Sequence, residues 1–128
     1  MAYKFMIIDD SSIVRGMIKK IIKMTSVEVA EIFEAANGKE GLEQLSNKWV
    51  DLIFLDINMP IMNGMEFMEK LRLDPNLKDL PVVVVSTEGA QDRIDRMKEL
   101  KVKDYLRKPF TPEQITNVIS ILLGGTNA

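Results

Sequence analysis

The stretch YKFMIIDDSSIVRGMIKKII, residues 3–22, carries two hydrophobic periods in succession. Tyr3–Ile8 is an unbroken apolar, β-favouring run apart from Lys4, and Asp9–Ser12 is a polar turn. Beyond it Val14, Met17, Ile18, Ile21 and Ile22 recur at 3.6-residue spacing, the stripe of an amphipathic helix. The same grammar returns four times, with strand runs at Val27–Phe33, Leu52–Leu55, Val82–Val85 and Tyr105–Leu106, each followed by a helical stretch. The last helix has its stripe at Ile115, Val118, Ile119 and Leu122. It opens on Thr111-Pro-Glu-Gln114, a capping box with Pro112 at the first helical position, and Asn37-Gly-Lys-Glu40 resembles a second box.

Five alternating β and α units predict an α/β domain: a doubly wound parallel sheet covered by helices on both faces. Strand runs with no polar alternation agree, because a strand buried on both sides has no solvent face. Right-handed crossovers place every strand's C-terminal end on one edge, where open sheets of this kind bind ligands. At 128 residues the length fits one domain, residues 1–128, with a core of about 3–123 and residues 124–128 as a tail.

Composition narrows the chemistry. The chain has no Cys and no His, which excludes thiol nucleophiles, disulfides, thiolate and imidazole metal sites, and every His-dependent triad. A net charge of −2 gives no general attraction for nucleic acid, and the Lys98, Lys101, Lys103 and Arg107 cluster carries a single aromatic, Tyr105, so nucleic acid binding is not expected. No apolar run reaches the ~20 residues that span a bilayer, so a cytoplasmic, non-membrane domain is predicted.

What remains is oxygen and amine chemistry, and it collects at the strand ends. Strand one runs into Asp9-Asp10, strand three into Asp56, strand four into Ser86-Thr87 and strand five into Lys108-Pro109. Singly, Asp10 or Asp56 reads as a helix cap, Ser86 as a turn residue and Lys108 as a solvated cation. Together they put three carboxylates on one edge. Two such groups ~5 Å apart repel by roughly 3 kcal/mol at an effective dielectric of 20. Three together either raise one another's pKa or need compensating charge, from Lys108 or from an oxygen-seeking cation such as Mg²⁺.

Ile7-Ile8-Asp9-Asp10, Asp56-Ile-Asn58-Met59-Pro60, Asn63-Gly64, Val85-Ser86 and Lys108-Pro109-Phe110 stand in an order that resembles the receiver domain of bacterial response regulators, most of all the CheY-like single-domain chemotaxis type. The resemblance implies a five-stranded sheet of order 2-1-3-4-5 with five helices. It also implies Asp56 as phosphoacceptor, with Asp9, Asp10, Asp56 and the Asn58 backbone carbonyl holding Mg²⁺ (Mn²⁺ as a substitute). It assigns Ser86, Thr87 and Lys108 to the phosphoryl group and Tyr105 with Ser86 to a switch. Asn58 and Glu88 fall at positions that tune phosphoryl loss, and Lys108-Pro109 is expected to be cis.

The implied partners are a sensor histidine kinase or histidine phosphotransfer protein as donor, and a protein target on the helix 4/strand 5/helix 5 face of a monomer. Such a chain is a signalling domain that catalyses only its own phosphorylation and dephosphorylation. A single-domain phosphorelay intermediate is the nearer alternative. A Mg²⁺-dependent phosphatase of the haloacid dehalogenase type is the distant one, and it needs a DxDxT spacing that Asp9-Asp10-Ser11-Ser12 lacks. Two departures from the common receiver pattern stand out. Thr87 replaces a smaller residue beside the pocket, and Lys101 replaces the glycine that usually ends the fourth helix left-handed. Met59, Met62, Met65, Met68 and Trp49 are read as packing.

Overall fold

The computed structural model describes residues 2–124. Strands β1 (Ala2–Ile8), β2 (Glu28–Ala35), β3 (Leu52–Leu55), β4 (Val82–Ser86) and β5 (Asp104–Arg107) alternate with helices α1 (Ser12–Lys23), α2 (Gly38–Leu45), α3 (Gly64–Leu73), α4 (Gln91–Glu99) and α5 (Pro112–Leu123). All strand pairs are parallel, in the order β2-β1-β3-β4-β5, as the resemblance to receiver domains implied.

The two-residue period of a strand sorts its side chains between two cores. Met6 and Ile8 of β1, Ile53 and Leu55 of β3, and Val82 and Val84 of β4 meet Leu45 of α2, Phe67, Met68 and Leu71 of α3, and Met97 of α4. Their neighbours Phe5, Ile7, Leu52, Phe54, Val83 and Val85 meet Ile18, Ile21 and Ile22 of α1 and Ile115, Val118 and Ile119 of α5. β3 is buried along its whole length, which is why its sequence shows no alternation. β2 differs: as an edge strand it leaves Glu28, Ala30 and Glu31 exposed. It also runs on to Ala35, two residues past its apolar run, because the ladder to β1 continues through Ile7↔Glu34 and Ile8↔Ala35.

Several local expectations are settled by hydrogen bonds. Thr111 and Gln114 form the reciprocal capping box of α5, and Asn63 and Glu66 form another on α3. At α2 the Asn37 side chain accepts from Glu40 N–H. The Glu40 carboxylate, however, accepts from Ala36 N–H and the Asn37 side-chain amide rather than from the Asn37 backbone N–H, so that motif is only half a box. Lys101 takes the left-handed conformation usual for glycine, φ 64°. The bonds Val102 N–H to Met97 O and Lys101 N–H to Lys98 O complete a Schellman ending for α4. Met68 is buried, and Met59, Met62 and Met65 pack against the same core. Trp49 departs from its packing assignment: it is an exposed side chain after α2. Gly124 caps α5 at φ 65°; the rest of the proposed tail, residues 125–128, lies outside the described residues.

Candidate functional site

The parallel ladder itself assembles the site. Asp9 N–H donates to Ala35 O, Asp56 N–H to Ile8 O and Lys108 N–H to Ser86 O, at 2.9–3.0 Å. Adjacent strands thus deliver Asp9, Asp56, Ser86 and Lys108 to one edge, each fixed through its own backbone. Neither Asp10 nor Asp56 caps a helix. Ser11 caps α1, accepting from Val14 N–H, and Asn63 caps α3. The carboxylates are therefore free of the commonest structural duty for an Asp after a strand.

One carboxylate oxygen each from Asp9, Asp10 and Asp56 lies within 4.8 Å of the others. Asp9 and Asp56 are buried, while Asp10 opens to solvent. Lys108 reaches across from β5, its Nζ 2.9 Å from Asp9 Oδ2 and 3.7 Å from Asp56 Oδ2. Asp9 Oδ1 accepts from Ser11 N–H, and Asp56 Oδ1 from Ile57 N–H. Burial, followed by the charge of Asp9, pushes the Asp56 carboxyl above its ordinary range, against the opposing pull of the Ser86 hydroxyl, Lys108 and Ile57 N–H. A buried, acidic, cation-deficient pocket of oxygen donors fits a small hard cation. Asn58 follows on the same loop, exposed, two residues past Asp56.

Gly64 sets the approach of α3. A Cβ there would meet the Asp56 carbonyl oxygen and lie 2.8 Å from Ile57 Cα, while Gly64 N–H donates to Ile57 O. Only a residue without a side chain lets the helix sit this close to Asp56. Between them, Met62 N–H donates to Pro60 O across Ile61, whose φ is 70°. This i→i+2 turn puts a β-branched residue in the left-handed region, a strained conformation in the loop after Asp56.

A continuous hydrogen-bond path leads from the pocket toward α4 and β5. The Ser86 hydroxyl, close enough to Asp56 to pull its carboxyl pKa down, accepts from Glu88 N–H at 3.1 Å. The Glu88 carbonyl accepts from the Tyr105 hydroxyl at 2.6 Å. Tyr105 is half-buried and lines an α4–β5 groove with Ile94, Lys98, Val102, Lys103, Asp104 and Arg107. Thr87 is exposed beside this path, and the Glu88 carboxylate turns outward to Arg93, 3.7 Å away. The Lys108-Pro109 peptide bond is cis.

The residues singled out from sequence lie at one sheet edge or on this path. Two others were missed. Arg15 donates from Nη1 to Asp9 O at 2.6 Å, and Glu34 of β2 holds that guanidinium at 3.1 Å. Their sequence separation of 19 gives no signal until β1 and β2 are known to be neighbours.

The family profile for the response regulator receiver domain matches residues 5–120. Chemotaxis protein CheY1 of Helicobacter pylori is 33% identical over 122 residues, covering 94% of this chain and 97% of its own. Among solved structures, chemotaxis response regulator CheY4 of Vibrio cholerae superposes with a TM-score of 0.83 at 28% identity, covering 95% of this chain and 99% of its own. The phosphorylated cyanobacterial phytochrome response regulator RcpA superposes with a TM-score of 0.85 at 25% identity, covering 99% and 98%.

Proposed function

The chain belongs to the response regulator receiver domain family, and from that premise we propose that Asp56 is its phosphoacceptor. It is a receiver domain of a two-component system with chemotaxis-type relatives, in a family where phosphorylation of an aspartate is typical. The observation that carries the assignment to Asp56 is its place between a buried carboxylate and a lysine. Lys108 lies 2.9 Å from Asp9 and 3.7 Å from Asp56, so its ammonium is held more closely by Asp9 than by Asp56.

An Asp56 carboxylate oxygen attacks phosphorus as the N–P bond of a phosphohistidine breaks, and the leaving imidazole takes up a proton. Such a transfer is loose and in line, so the site's tasks are positioning and charge neutralisation. Asp9, Asp10, Asp56 and the Asn58 carbonyl would hold Mg²⁺, or Mn²⁺ in its place, and the ion would offset their charge and that of the phosphoryl oxygens. Lys108 pairs with one phosphoryl oxygen, while Ser86, flanked by Thr87, donates to another. Asn58, exposed two residues past Asp56, and Glu88, whose N–H bonds Ser86, tune the lifetime of the phosphorylated state. The path from Ser86 through Glu88 to Tyr105 carries the change to the α4/β5/α5 face.

We read residues 1–128 as a single receiver domain working as a cytoplasmic monomer. Its phosphodonor is a histidine kinase or phosphotransfer protein, its target a protein, and its only catalysis its own phosphorylation and dephosphorylation. Among the described residues no helix is long and apolar enough to cross a membrane. The phosphatase alternative is not favoured.

Acetyl phosphate with Mg²⁺, followed by intact mass measurement, tests the reading. Wild type gains one labile phosphoryl group and Asp56→Asn gains none. Because Thr87 stands beside the pocket, the assay is repeated with a phosphorylated histidine kinase domain. No addition from either donor, or equal addition to Asp56→Asn, overturns the assignment.

A further inference from the structure

Asp9 is fastened at four points. Its N–H bonds Ala35 O, its Oδ1 accepts from Ser11 N–H, its Oδ2 accepts from Lys108, and its carbonyl accepts from Arg15 Nη1 at 2.6 Å. The last contact comes from a group that is itself held. Arg15 Nε donates to Glu34 Oε1 at 3.1 Å, and Lys19, one turn further along α1, reaches Glu34 Oε2 at 3.3 Å. Glu34 is anchored in turn, with its carbonyl accepting from Gln44 of α2 at 2.8 Å and its strand paired to β1 at Ile7. Arg15 is 17% exposed, so this is not a loose surface pair. Burial would raise the Glu34 carboxyl, but the hydrogen bonds and charges of Arg15 and Lys19 outweigh it and hold the group below its ordinary range.

We infer that Arg15, braced by Glu34, is a positioning residue for the acidic pocket: it fixes the Asp9 main chain so that the Asp9 carboxylate stays aimed at the cation position. The planar guanidinium suits the task, since two of its nitrogens donate at once, one to the strand end and one to the neighbouring strand. A lysine ammonium is a single point and does not span both. This inference rests on the acidic pocket holding a divalent cation.

Charge and position predict opposite signs, which makes the role separable. Arg15 is a cation near a cation site, so by charge alone its removal strengthens Mg²⁺ binding. If it positions Asp9, its removal weakens binding. Mg²⁺ titration by calorimetry on wild type, Arg15→Ala, Arg15→Lys, Glu34→Ala and the Arg15→Ala/Glu34→Ala double variant decides. Affinity is expected to fall about tenfold in Arg15→Ala, the scale seen when the partners of metal ligands are removed. Lysine recovers only part of it, and Glu34→Ala adds nothing once Arg15 is gone. Circular dichroism in metal-free buffer confirms that each variant is folded, and Arg15→Lys carries the test if Arg15→Ala is not. Unchanged or tighter binding in the Arg15 variants, or a Glu34 effect that persists without Arg15, overturns the role. Absence of Mg²⁺ binding by wild type would instead overturn the pocket reading.

Discussion

Replacing Asp56 with Asn is expected to make the metal-free protein more stable at neutral pH. In the folded state the Asp56 carboxylate, 7% exposed, lies within 4.8 Å of the Asp9 and Asp10 carboxylates. At an effective dielectric of 20 the Asp9 term is a repulsion of roughly 3 kcal/mol, and Lys108 at 3.7 Å returns roughly 4 kcal/mol. These nearly cancel, which leaves burial as the leading cause of the raised Asp56 pKa. Burial of an ion costs several kcal/mol, partly offset by the Ile57 N–H and Ser86 hydroxyl bonds, so a net penalty of about 1–2 kcal/mol remains.

The sign with pH follows from linkage. Well below the reference value of 3.8, Asp56 is protonated in folded and unfolded chains alike and the penalty is absent. It grows as pH rises from 3.8 toward the raised folded pKa and is complete above it. Asp56→Asn should therefore melt on the order of 5 °C higher than wild type at neutral pH, with the gap closing in acid. Saturating Mg²⁺ should reverse the order, because the ion stabilises the folded wild type and has lost a ligand in the variant. Thermal melts by circular dichroism, across pH and with or without Mg²⁺, check each part. A variant that is less stable in metal-free neutral buffer, or a gap that ignores pH, refutes the electrostatic account.

Three further substitutions probe the same edge. Lys108→Ala leaves Asp9 and Asp56 unpaired and should cost about 3 kcal/mol in metal-free urea melts; the same variant should bind Mg²⁺ more tightly in a titration, since the competing cation is gone. Gly64→Ala drives a methyl into the Asp56–Ile57 backbone, which cannot rotate away, so urea denaturation should show a loss of about 2–3 kcal/mol. Ile61→Asn should raise stability by about 1 kcal/mol in the same assay, because Ile61 is 76% exposed and gives up little burial while Asn tolerates the left-handed turn.

The strand ends that form the pocket were legible in sequence for one physical reason, whereas the strand order came from the family resemblance. A parallel strand buried on both faces has to be apolar throughout, so the first polar residue after it marks the strand's end, and Asp9 and Asp56 each stand at such a break, while Lys108 follows the short, mostly exposed β5. β2 was legible only in part. Its outer residues face solvent, and its last two, Glu34 and Ala35, are strand because β1 pairs with them rather than by their own preference. Arg15 was invisible for a related reason, since its partners Asp9 and Glu34 become neighbours only after the crossover closes. The strain at Ile61 was hidden too: an isoleucine is a poor advertisement for a left-handed turn, and the constraint comes from Pro60 and Met62 on either side. Lys101 shows the same point at the end of α4, where the Schellman bonds hold a side chain in a conformation its sequence disfavours.

The polar path also explains how one group on Asp56 could move a surface on the far side of β4. Ser86 has a single hydroxyl proton and sits beside Asp56, whose carboxyl pKa it pulls down, while its oxygen accepts from Glu88 N–H. An acceptor placed beyond Asp56 has to draw Ser86 further inward, which either stretches the 3.1 Å bond to Glu88 or pulls that residue along. Glu88 is also the residue whose carbonyl holds the Tyr105 hydroxyl, so its two peptide groups face the pocket side and the groove side respectively. A ligand shifts such an equilibrium only by its differential affinity for the two arrangements. The relevant energies are therefore those of two hydrogen bonds, each worth about 1 kcal/mol net, and not of the whole core. On the reading proposed for Asp56 that scale suits a reversible signal: it is large enough to bias Tyr105 and small enough that loss of a phosphoryl group would restore the starting state.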